Sequence, residues 1–360
     1  MSGFITDVVT VSCRVPLRLP FVTALRRTEA VGAVLVEVHT DDGYVGLGEA
    51  TPIGAITGES VASVQAALGG PLREAVVGRE ADDLVGALGA LQRALPANPS
   101  AKAGLDIALH DLTSQRLGIT LQQYLGTTCS SVATDVGVSA ASPKEMAAEA
   151  VARVGAGFGI LKLKLGDGRH DDIRRVLSVR EAVGASVGLR LDANQGWGAR
   201  QAVRILAELE RHQANIEFVE QPVPALDLGA LAFVTGSTAT PVLADEAVWS
   251  ARDVLVVAER KAADLVNLKL MKCGGLGPAR AAAAVAEATG MGWLVGGMME
   301  TAVAVTAGAA FAATGAANVV HDLDAAWWLA PPNQTLLYEG GRLLMPNAPG
   351  LRSVAGELGR

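Results

Sequence analysis

Three carboxylates stand at the ends of three successive apolar runs in the chain. The runs LRLD, IEFVE and PVLAD end on Asp192, Glu220 and Asp245. Carboxylate oxygens suit Mg²⁺ or Mn²⁺, with room left for water and a substrate oxygen. Three unpaired carboxylates at one place would repel one another and raise each other's pKa, and a divalent cation removes that cost. A single one could instead form a salt bridge or cap a helix, so the regular placement of all three predicts the metal site.

Three lysines lie in similar apolar runs. In ILKLKLGD, Lys162 and Lys164 are two residues apart, so in a strand they share one face while the leucines share the other. Lys269 lies in the later run LVNLKLMK. An isolated pair of this kind would normally point into water, but buried lysines near other positive charge have lowered pKa values and can act as bases. Lys272 is offset in phase from Lys269, and we expect it to be a solvated loop lysine.

The runs that carry these residues repeat along the chain with an even spacing. From residue 164 to residue 322 the ends of the predicted strands follow one another every 24 to 29 residues, the length of one strand and one crossover helix. These ends are Lys164, Asp192, Glu220, Asp245, Lys269, Met298 and Asp322. With VATDVGVS at 132–139 as a first strand, eight strands are expected. The pattern predicts a TIM-type barrel whose polar strand ends meet at one mouth.

The first part of the chain has a different pattern of apolar residues. TDVVTVSCRVPL and GAVLVEVHTDDGYVGLGEA are rich in strand-forming residues, and Asp42-Gly43 in the second predicts a hairpin. Helical spacing of Leu, Ala and Ile follows from about Val61 to Leu117, with Gly118 as the expected C-cap. This α+β segment comes before the repeating βα pattern, which begins after Gly126.

Composition excludes several classes of protein. The 360-residue chain is 50% hydrophobic and carries a net charge of −7 without a basic block, so nucleic acid is not an expected partner. Cys13, Cys129 and Cys273 have no C-x-x-C spacing, which argues against a disulfide framework or structural zinc and favours a reducing cytoplasm. The N-terminus does not read as a secretory signal.

One uncharged stretch approaches the length of a membrane span. The 20 residues between Glu300 and His321 contain no charged side chain, but they are mostly Ala, Gly, Thr and Val. Such small residues insert weakly into a bilayer. We therefore expect a helix packed inside a soluble fold, with no membrane partner.

The motifs together resemble a known family. In order, K-x-K, D-A-N-Q-G-W, E-Q-P, A-D-E, N-x-K-L-M-K-x-G-G and G-x-M-x-E-T are similar to the muconate lactonizing enzyme subgroup of the enolase superfamily, over nearly the whole chain. The resemblance implies an α/β fold: a modified TIM barrel, (β/α)7β, at 126–322, under an N-terminal α+β capping domain at 1–125 whose loops cover the substrate. Residues 323–360 would return to the capping domain. A homo-oligomer is expected by analogy with the family.

The same resemblance assigns roles at the barrel mouth. It implies that Asp192, Glu220 and Asp245 bind Mg²⁺, or Mn²⁺ in its place. Lys164 and Lys269 would be the two acid/base residues, while Lys162 would support the bound carboxylate and lower the pKa of Lys164. The shared chemistry is abstraction of a proton next to a carboxylate, which gives an enediolate stabilised by the metal.

Other motifs resemble the dipeptide epimerases within the subgroup. Asp322 and Asp324 form a D-x-D in HDLDAAWWL, which in those enzymes binds the α-ammonium group of the substrate. The segments 20–30 and 50–60 are similar to the substrate-covering loops of L-Ala-D/L-Glu epimerases. Arg26 would then bind a glutamate side chain, with Arg27 as the competing candidate, and further substrate contacts are expected from Thr57, Met298 and Glu300. Trp327-Trp328 is bulkier than the family pattern and favours a different second residue.

The expected reaction is a two-base 1,1-proton transfer on a small dipeptide, and other reactions stay open. A muconate cycloisomerase, an o-succinylbenzoate synthase or an N-acylamino acid racemase would use the same metal and lysines but no ammonium site. A mandelate racemase type would need a histidine where GGMME has none. A barrel that binds metal or ligand without catalysis is the non-enzymatic alternative. His39, His110, His170 and His212 have no metal-ligand spacing, while His321 adjoins the D-x-D and can orient it.

Overall fold

The computed structural model of the chain describes residues 3–168 and 171–356, so His170 lies outside the described residues. The chain begins with a three-stranded antiparallel sheet in the order β1-β2-β3. Its strands are β1 (Ile5–Val22), β2 (Arg27–Thr40) and β3 (Val45–Ala50). The predicted hairpin at Asp42-Gly43 is confirmed, since it joins β2 to β3 and Gly43 takes a positive φ of 89°.

The predicted helical region is divided into several helices by Pro and Gly residues. They are α1 (Val61–Gly69), α2 (Pro71–Val76), α3 (Leu84–Ala94) and α4 (Pro99–Arg116), followed by α5 (Leu121–Tyr124). The longest, α4, lies directly against β3. A Cβ on Gly48 would come within 2.0 Å of the Gly104 carbonyl oxygen, so the close approach of sheet and helix depends on this glycine.

A ring of parallel strands alternating with helices follows. Seven strands hydrogen-bond in the order β5-β6-β7-β8-β9-β10-β11. After β4 (Ser131–Ala133), the elements are β5 (Val136–Val138), α6 (Pro143–Gly155), β6 (Ile160–Lys164), α7 (Asp172–Val183), β7 (Gly188–Asp192), α8 (Ala199–Arg211), β8 (Ile216–Glu220), α9 (Leu228–Thr235), β9 (Val242–Ala244), α10 (Ala251–Glu259), β10 (Leu265–Lys269), α11 (Leu270–Cys273), α12 (Leu276–Ala288) and β11 (Gly292–Gly296). The predicted βα barrel is confirmed.

The eighth position of the ring is held by a short segment, not by a regular strand. His321 and Asp322 form isolated parallel bridges to Thr134 and Gly296, so the segment lies between the first and last strands. The Asp322 N–H donates to the Val295 carbonyl at 2.9 Å. The predicted last strand is therefore reduced to two bridges that close the barrel.

The predicted first strand at 132–139 was wrong in extent. Only β5 belongs to the barrel, because β4 turns away and pairs antiparallel with a strand from the C-terminal tail. Two predicted strand ends are also shifted: Asp245 follows the end of β9 by one residue, and Met298 lies two residues beyond β11. These side chains lie on the loops just above the strands.

The C-terminal part packs across both sheets. It contains α13 (Ala302–Ala312), a 3₁₀-helix (Ala325–Trp328), β12 (Tyr338–Glu339), β13 (Arg342–Leu344) and α14 (Arg352–Ala355). The Leu351 N–H donates to Oδ1 of Asp111 on α4 at 2.9 Å, which ties the tail to the N-terminal helices. Domain boundaries at residues 125 and 322 stay a prediction.

The uncharged stretch after Glu300 forms α13, and every residue of that helix is buried. Across residues 3–168 and 171–356, none of the helices is both long enough and apolar enough to span a bilayer.

Candidate active site

The two lysines of β6 face the interior of the barrel mouth. Lys162 is 1% exposed, and its Nζ lies 2.6 Å from Oε2 of Glu220, 2.8 Å from Oδ2 of Asp322 and 3.4 Å from Oδ2 of Asp192. Three of these groups come from successive strands and the fourth from the segment that closes the barrel. Because β6 alternates its side chains, the leucines between the lysines pack outward against the helices.

Each of the other two lysines pairs with a different carboxylate. Lys164 Nζ lies 2.6 Å from Oδ2 of Asp192, and Lys269 Nζ lies 2.7 Å from Oδ2 of Asp245. Lys269 also lies 4.0 Å from Glu220. The structure therefore brings together all six residues that the sequence predicts as catalytic or metal-binding.

The charges of this cluster stabilise one another. Burial lowers the pKa of Lys269, but the carboxylates of Asp245 and Glu220 outweigh it and hold that pKa well above its usual value. Burial also lowers the pKa of Lys162, and Asp322 and Glu220 again outweigh it. The sequence predicted that Lys269 has a lowered pKa, but in the structure its pKa is raised. The reason is that each cation lies closer to a carboxylate than to another cation.

The carboxylate oxygens of this cluster are ligands of the type that a hard divalent cation prefers. Asp192, Glu220 and Asp245 are each 1% exposed and come from neighbouring strand ends, and burial raises the pKa of Glu220 to about 7. Nearby buried acceptors without a hydrogen-bond partner include Oδ1 of Asn194 and both carboxylate oxygens of Glu246. Among residues 3–168 and 171–356, however, no three acidic, His or Cys side chains are grouped so that they could hold a metal ion, since the carboxylates turn toward the lysines. Metal binding would require these ion pairs to open.

Lys272 corrects a sequence prediction. It is buried, not solvated: its Nζ lies 2.6 Å from Oδ1 of Asp245, contacts the Asp245 carbonyl oxygen and donates to the Asn267 carbonyl at 3.1 Å. The phase argument assumed a continuing strand. The chain instead enters the short helix α11 directly after Lys269, and on a helix residues three apart lie on the same side.

Sequence reasoning also missed Glu246 and Asn194. Strand alternation would place Glu246 on the opposite face from Asp245, yet Glu246 is 5% exposed, and burial with the neighbouring Asp245 raises its pKa to about 8. Asn194 lies within the D-A-N-Q-G-W motif and has a positive φ of 43°. The available signal was the pair of acidic residues in A-D-E and the conformational tolerance of asparagine.

A cavity opens above the lysines and is closed from the other side by the N-terminal sheet and loops. Its walls are formed by Phe21, Thr23, Leu25, Arg26, Ile56, Gly137, Lys164, Asn194, Lys269, Gly297, Met298, Met299, Asp322 and Asp324. Residues from β1, the loop after it and the 50–60 segment thus face the barrel strand ends. The cavity brings two lysines, two carboxylates and one arginine around an otherwise largely apolar space.

Arg26 and Arg27 have different surroundings. Arg26 lines the cavity, and burial lowers its pKa to about 10. In the part of the chain that the structure describes, no carboxylate lies within 4.0 Å of the Arg26 guanidinium. Arg27 instead pairs with Glu29 at 3.1 Å on the surface. Arg26 is therefore the arginine available to an anionic ligand.

Of the other three predicted substrate contacts, one lines the cavity and two do not. Met298 lines the cavity, whereas Thr57 does not: its hydroxyl donates to the Ile53 carbonyl at 3.4 Å and so shapes the loop that carries Ile56. Glu300 lies behind the wall, where its Oε1 accepts the Met298 N–H at 2.8 Å. Burial raises the pKa of Glu300 to about 8.

The D-x-D pair lies at the edge of the cavity. Asp322 pairs with Lys162, and Oδ2 of Asp324 accepts the Gly137 N–H at 2.7 Å and the Trp328 indole N–H at 2.9 Å. Neither Trp327 nor Trp328 lines the cavity, and the different second residue that their bulk favours stays a prediction. His321 uses Nδ1 to accept the Val295 N–H at 3.1 Å, which holds the segment that carries the D-x-D against β11.

Comparison with known proteins identifies the family. Residues 5–126 match the mandelate racemase / muconate lactonizing enzyme N-terminal domain, and residues 145–352 match the enolase C-terminal domain-like family. The L-Ala-D/L-Glu epimerase of Bacillus subtilis is 41% identical over 347 residues, covering 96% of this chain and 95% of that protein. The hydrophobic dipeptide epimerase of Enterococcus faecalis is 37% identical over 317 residues, covering 88% and 89%.

Solved structures agree with this assignment. A substrate-liganded complex of the Bacillus subtilis L-Ala-D/L-Glu epimerase has a TM-score of 0.92 at 40% identity and covers 96% of this chain and 98% of that one. The Enterococcus faecalis dipeptide epimerase, complexed with Mg and L-Leu-L-Tyr, has a TM-score of 0.90 at 35% identity and covers 97% and 99%. The chain therefore belongs to the mandelate racemase and muconate lactonizing enzyme family of the enolase superfamily.

Proposed function

We propose that the chain epimerises the C-terminal residue of a dipeptide by a Mg²⁺-dependent 1,1-proton transfer between two lysines. One observation carries the proposal: Lys164 and Lys269 line the same cavity from strands β6 and β10, four strands apart in an eight-position ring. A substrate α-carbon between them would present one face to each amine. Two bases on opposite faces are what inversion at carbon requires.

The remaining polar groups of the cavity fit the two ends of a dipeptide. Asp322 and Asp324 supply negative charge for the α-ammonium group. Arg26 supplies a guanidinium with no carboxylate within 4.0 Å among the described residues, which suits an acidic side chain on the second residue. The most favoured substrate is therefore L-Ala-L-Glu or a related dipeptide, and the Bacillus subtilis relative is named for that activity.

The proposed steps move one proton off the α-carbon and another on. The neutral amine of one lysine takes the α-proton. The electron pair of the C–H bond forms a double bond from the α-carbon to the carboxylate carbon, and the C=O π pair moves onto oxygen to give an enediolate. The ammonium of the opposite lysine then gives a proton to the other face of that carbon. Lys162 adds fixed positive charge beneath the site.

The carboxylates Asp192, Glu220 and Asp245 would hold the metal. A bound Mg²⁺ supplies positive charge where negative charge develops on the substrate carboxylate. With Asp245 and Glu220 as ligands, their charge would be shared with the cation, and they would raise the pKa of Lys269 less than they do as its ion-pair partners. Relatives whose structures contain Mg and a dipeptide support this assignment.

Residues 1–125 would act as the cap over this site, with 323–360 tying the tail to it. Phe21, Arg26 and Ile56 reach the cavity from the N-terminal part, which supports that division. The substrates of a muconate cycloisomerase or an o-succinylbenzoate synthase carry no ammonium group for the Asp322–Asp324 pair to bind. The pair therefore favours an amine-bearing substrate.

Proton NMR in deuterium oxide with Mg²⁺ tests the proposal. We expect the α-proton signal of the second residue of L-Ala-L-Glu to disappear while signals of the L-Ala-D-Glu diastereomer grow. Exchange confined to hydrophobic dipeptides would support the epimerase reaction but show that the second residue of the substrate is hydrophobic. A lack of exchange in every dipeptide, with N-acylamino acids or muconate converted instead, would reject the epimerase. Metal binding without exchange in any substrate would favour the non-catalytic barrel.

A further inference from the structure

One carboxylate oxygen of Asp324 is held by hydrogen bonds, and the other can bind a ligand. Its Oδ2 accepts two N–H donors, from Gly137 at 2.7 Å and from the Trp328 indole at 2.9 Å. No residue in 3–168 or 171–356 donates a hydrogen bond to Oδ1, and Asp324 lines the cavity. The oxygen that can meet a ligand is therefore oriented by the two donors on the other oxygen.

Trp328 is held rigidly behind this carboxylate. It is 0% exposed, its ring packs edge-on against Phe21 with centroids 4.9 Å apart, and the Arg153 guanidinium lies 4.5 Å from its ring centroid. Asp324 immediately precedes the 3₁₀-helix that Trp328 ends, so donor and acceptor sit on one short, packed element. A buried donor in a fixed ring loses little entropy when it makes its bond.

Phe21 links Trp328 to the catalytic face. The Lys164 Nζ lies 5.6 Å from the centroid of the Phe21 ring, on the side of the cavity, while Trp328 contacts the same ring from behind. A Cβ on Gly137 would come within 2.8 Å of this ring, so the backbone donor to Asp324 requires glycine. The group around Asp324 is packed to hold one geometry.

We infer that Trp328 is a positioning residue for ammonium recognition: its indole N–H orients Asp324 so that Oδ1 meets the α-ammonium of the substrate. The inference rests on the proposed function. It also explains why a bulky Trp-Trp pair follows the D-x-D without entering the cavity. Trp328 contacts Asp324 and not the substrate, so it is not a catalytic residue.

The neighbouring tryptophan provides a matched control. The ring of Trp327 lies between the guanidinium groups of Arg18 and Arg153, each 4.6 Å from its centroid, and its indole makes no hydrogen bond to Asp324. Trp327→Phe removes an indole from the same 3₁₀-helix without touching the carboxylate. Trp328→Phe removes the donor and keeps an aromatic ring against Phe21.

The experiment compares two ligands that differ by one group. The first is the L-Ala dipeptide that the wild-type protein epimerises fastest, and the second is the N-propionyl derivative of the same second residue, which lacks only the ammonium group. In Trp328→Phe we expect the KM for the dipeptide to rise about tenfold or more, because a hydrogen bond to a charged group is lost. The inhibition constant of the N-propionyl compound should stay within about twofold, and Trp327→Phe should change neither value by more than about twofold.

The outcomes separate the inference from the function on which it rests. Equal KM values in Trp328→Phe and Trp327→Phe, or equal losses for both ligands in Trp328→Phe, would overturn the inference and leave epimerisation intact. A wild-type protein that exchanges no dipeptide would instead reject the proposed function.

A second measurement uses the unsubstituted protein in case Trp328→Phe does not fold. The indole ¹⁵N–H resonance of Trp328 can be assigned by elimination with Phe variants of the four other tryptophans, Trp197, Trp249, Trp293 and Trp327. It should shift when the dipeptide saturates the protein and stay in place with the N-propionyl compound. A resonance that responds to neither ligand, or equally to both, would overturn the inference.

Discussion

The ammonium group of Lys272 lies 2.6 Å from Oδ1 of Asp245, and both side chains are buried. Lys269 occupies the other oxygen of the same carboxylate at 2.7 Å. Burial raises the pKa of Asp245, but these two cations outweigh it and hold the pKa far below its usual value. Lys269 lines the cavity and Lys272 does not. In the proposed mechanism Lys272 would therefore keep Asp245 charged and oriented while Lys269 exchanges its proton.

Replacing Lys272 should therefore destabilise the fold. Lys272→Met leaves part of a buried carboxylate without its partner, and we expect the free energy of unfolding to fall by about 3 kcal/mol. Urea denaturation measures the change. Lys144→Met is the matched control, because Lys144 is exposed on α6. An equal stability for both variants would contradict the role given to Lys272.

Arg26 should decide which second residue the enzyme accepts. Arg26→Gln removes the guanidinium from the cavity, and we expect kcat/KM for L-Ala-L-Glu to fall about 100-fold, while a hydrophobic dipeptide changes less than about threefold. Arg27→Gln, which breaks only a surface pair with Glu29, should change neither. Equal losses for both dipeptides in Arg26→Gln would show that Arg26 has a structural role instead.

The barrel was predictable because a period of one strand and one helix leaves few alternatives, and most of the predicted strands end on a charged residue that marks their register. Predictions failed where the chain leaves that pattern. Lys272 was misplaced because α11 replaces strand alternation by helical spacing directly after Lys269. The first strand was overextended because β4 finds its partner in β13, more than 200 residues later, a pairing that no local signal reveals.

The contacts of Trp327 and Trp328 were hidden for a similar reason. Their partners Arg18, Phe21 and Arg153 come from β1 and α6, so only the packed structure shows how the two rings are held. It also shows that Trp328, and not Trp327, donates its indole N–H to Asp324. The D-x-D itself was visible in the sequence because Asp322 is the last predicted strand end and Asp324 follows it by two residues.

Stability should depend on pH through His321. Burial, and after it the charge of Arg190, lowers the pKa of this histidine from the usual 6.5 to about 4. Between pH 6.5 and 4 the unfolded chain thus binds a proton that the folded protein does not, so this residue makes the protein less stable as the pH falls. The contribution at pH 4 is about 3 kcal/mol.

His321→Asn should remove this dependence, because the asparagine oxygen can replace Nδ1 as acceptor of the Val295 N–H. Other groups titrate in both proteins, so the informative quantity is the difference between their free energies of unfolding. That difference should shift in favour of the variant as the pH falls from 6.5 to 4. Parallel profiles would mean that His321 does not stay neutral in the fold.

Magnesium should stabilise the protein through the three carboxylates. A ligand that binds only the folded state raises the melting temperature, and at 100 times its dissociation constant it contributes about 2.7 kcal/mol. Glu220→Gln should abolish the rise in Tm that Mg²⁺ produces. Glu259→Gln, at an exposed position on α10, should retain it. A Mg²⁺-dependent rise that survives in Glu220→Gln would place the metal elsewhere.

The two-lysine claim is tested most directly by following deuterium exchange in the single variants Lys164→Ala and Lys269→Ala, with Mg²⁺ and both diastereomers of the dipeptide. We expect each variant to lose epimerisation by about 1,000-fold or more. Each should still exchange the α-proton of one diastereomer, and the two variants should exchange opposite ones, because each retains the base on one face. Full epimerisation by Lys269→Ala, or exchange of the same diastereomer by both variants, would contradict the account.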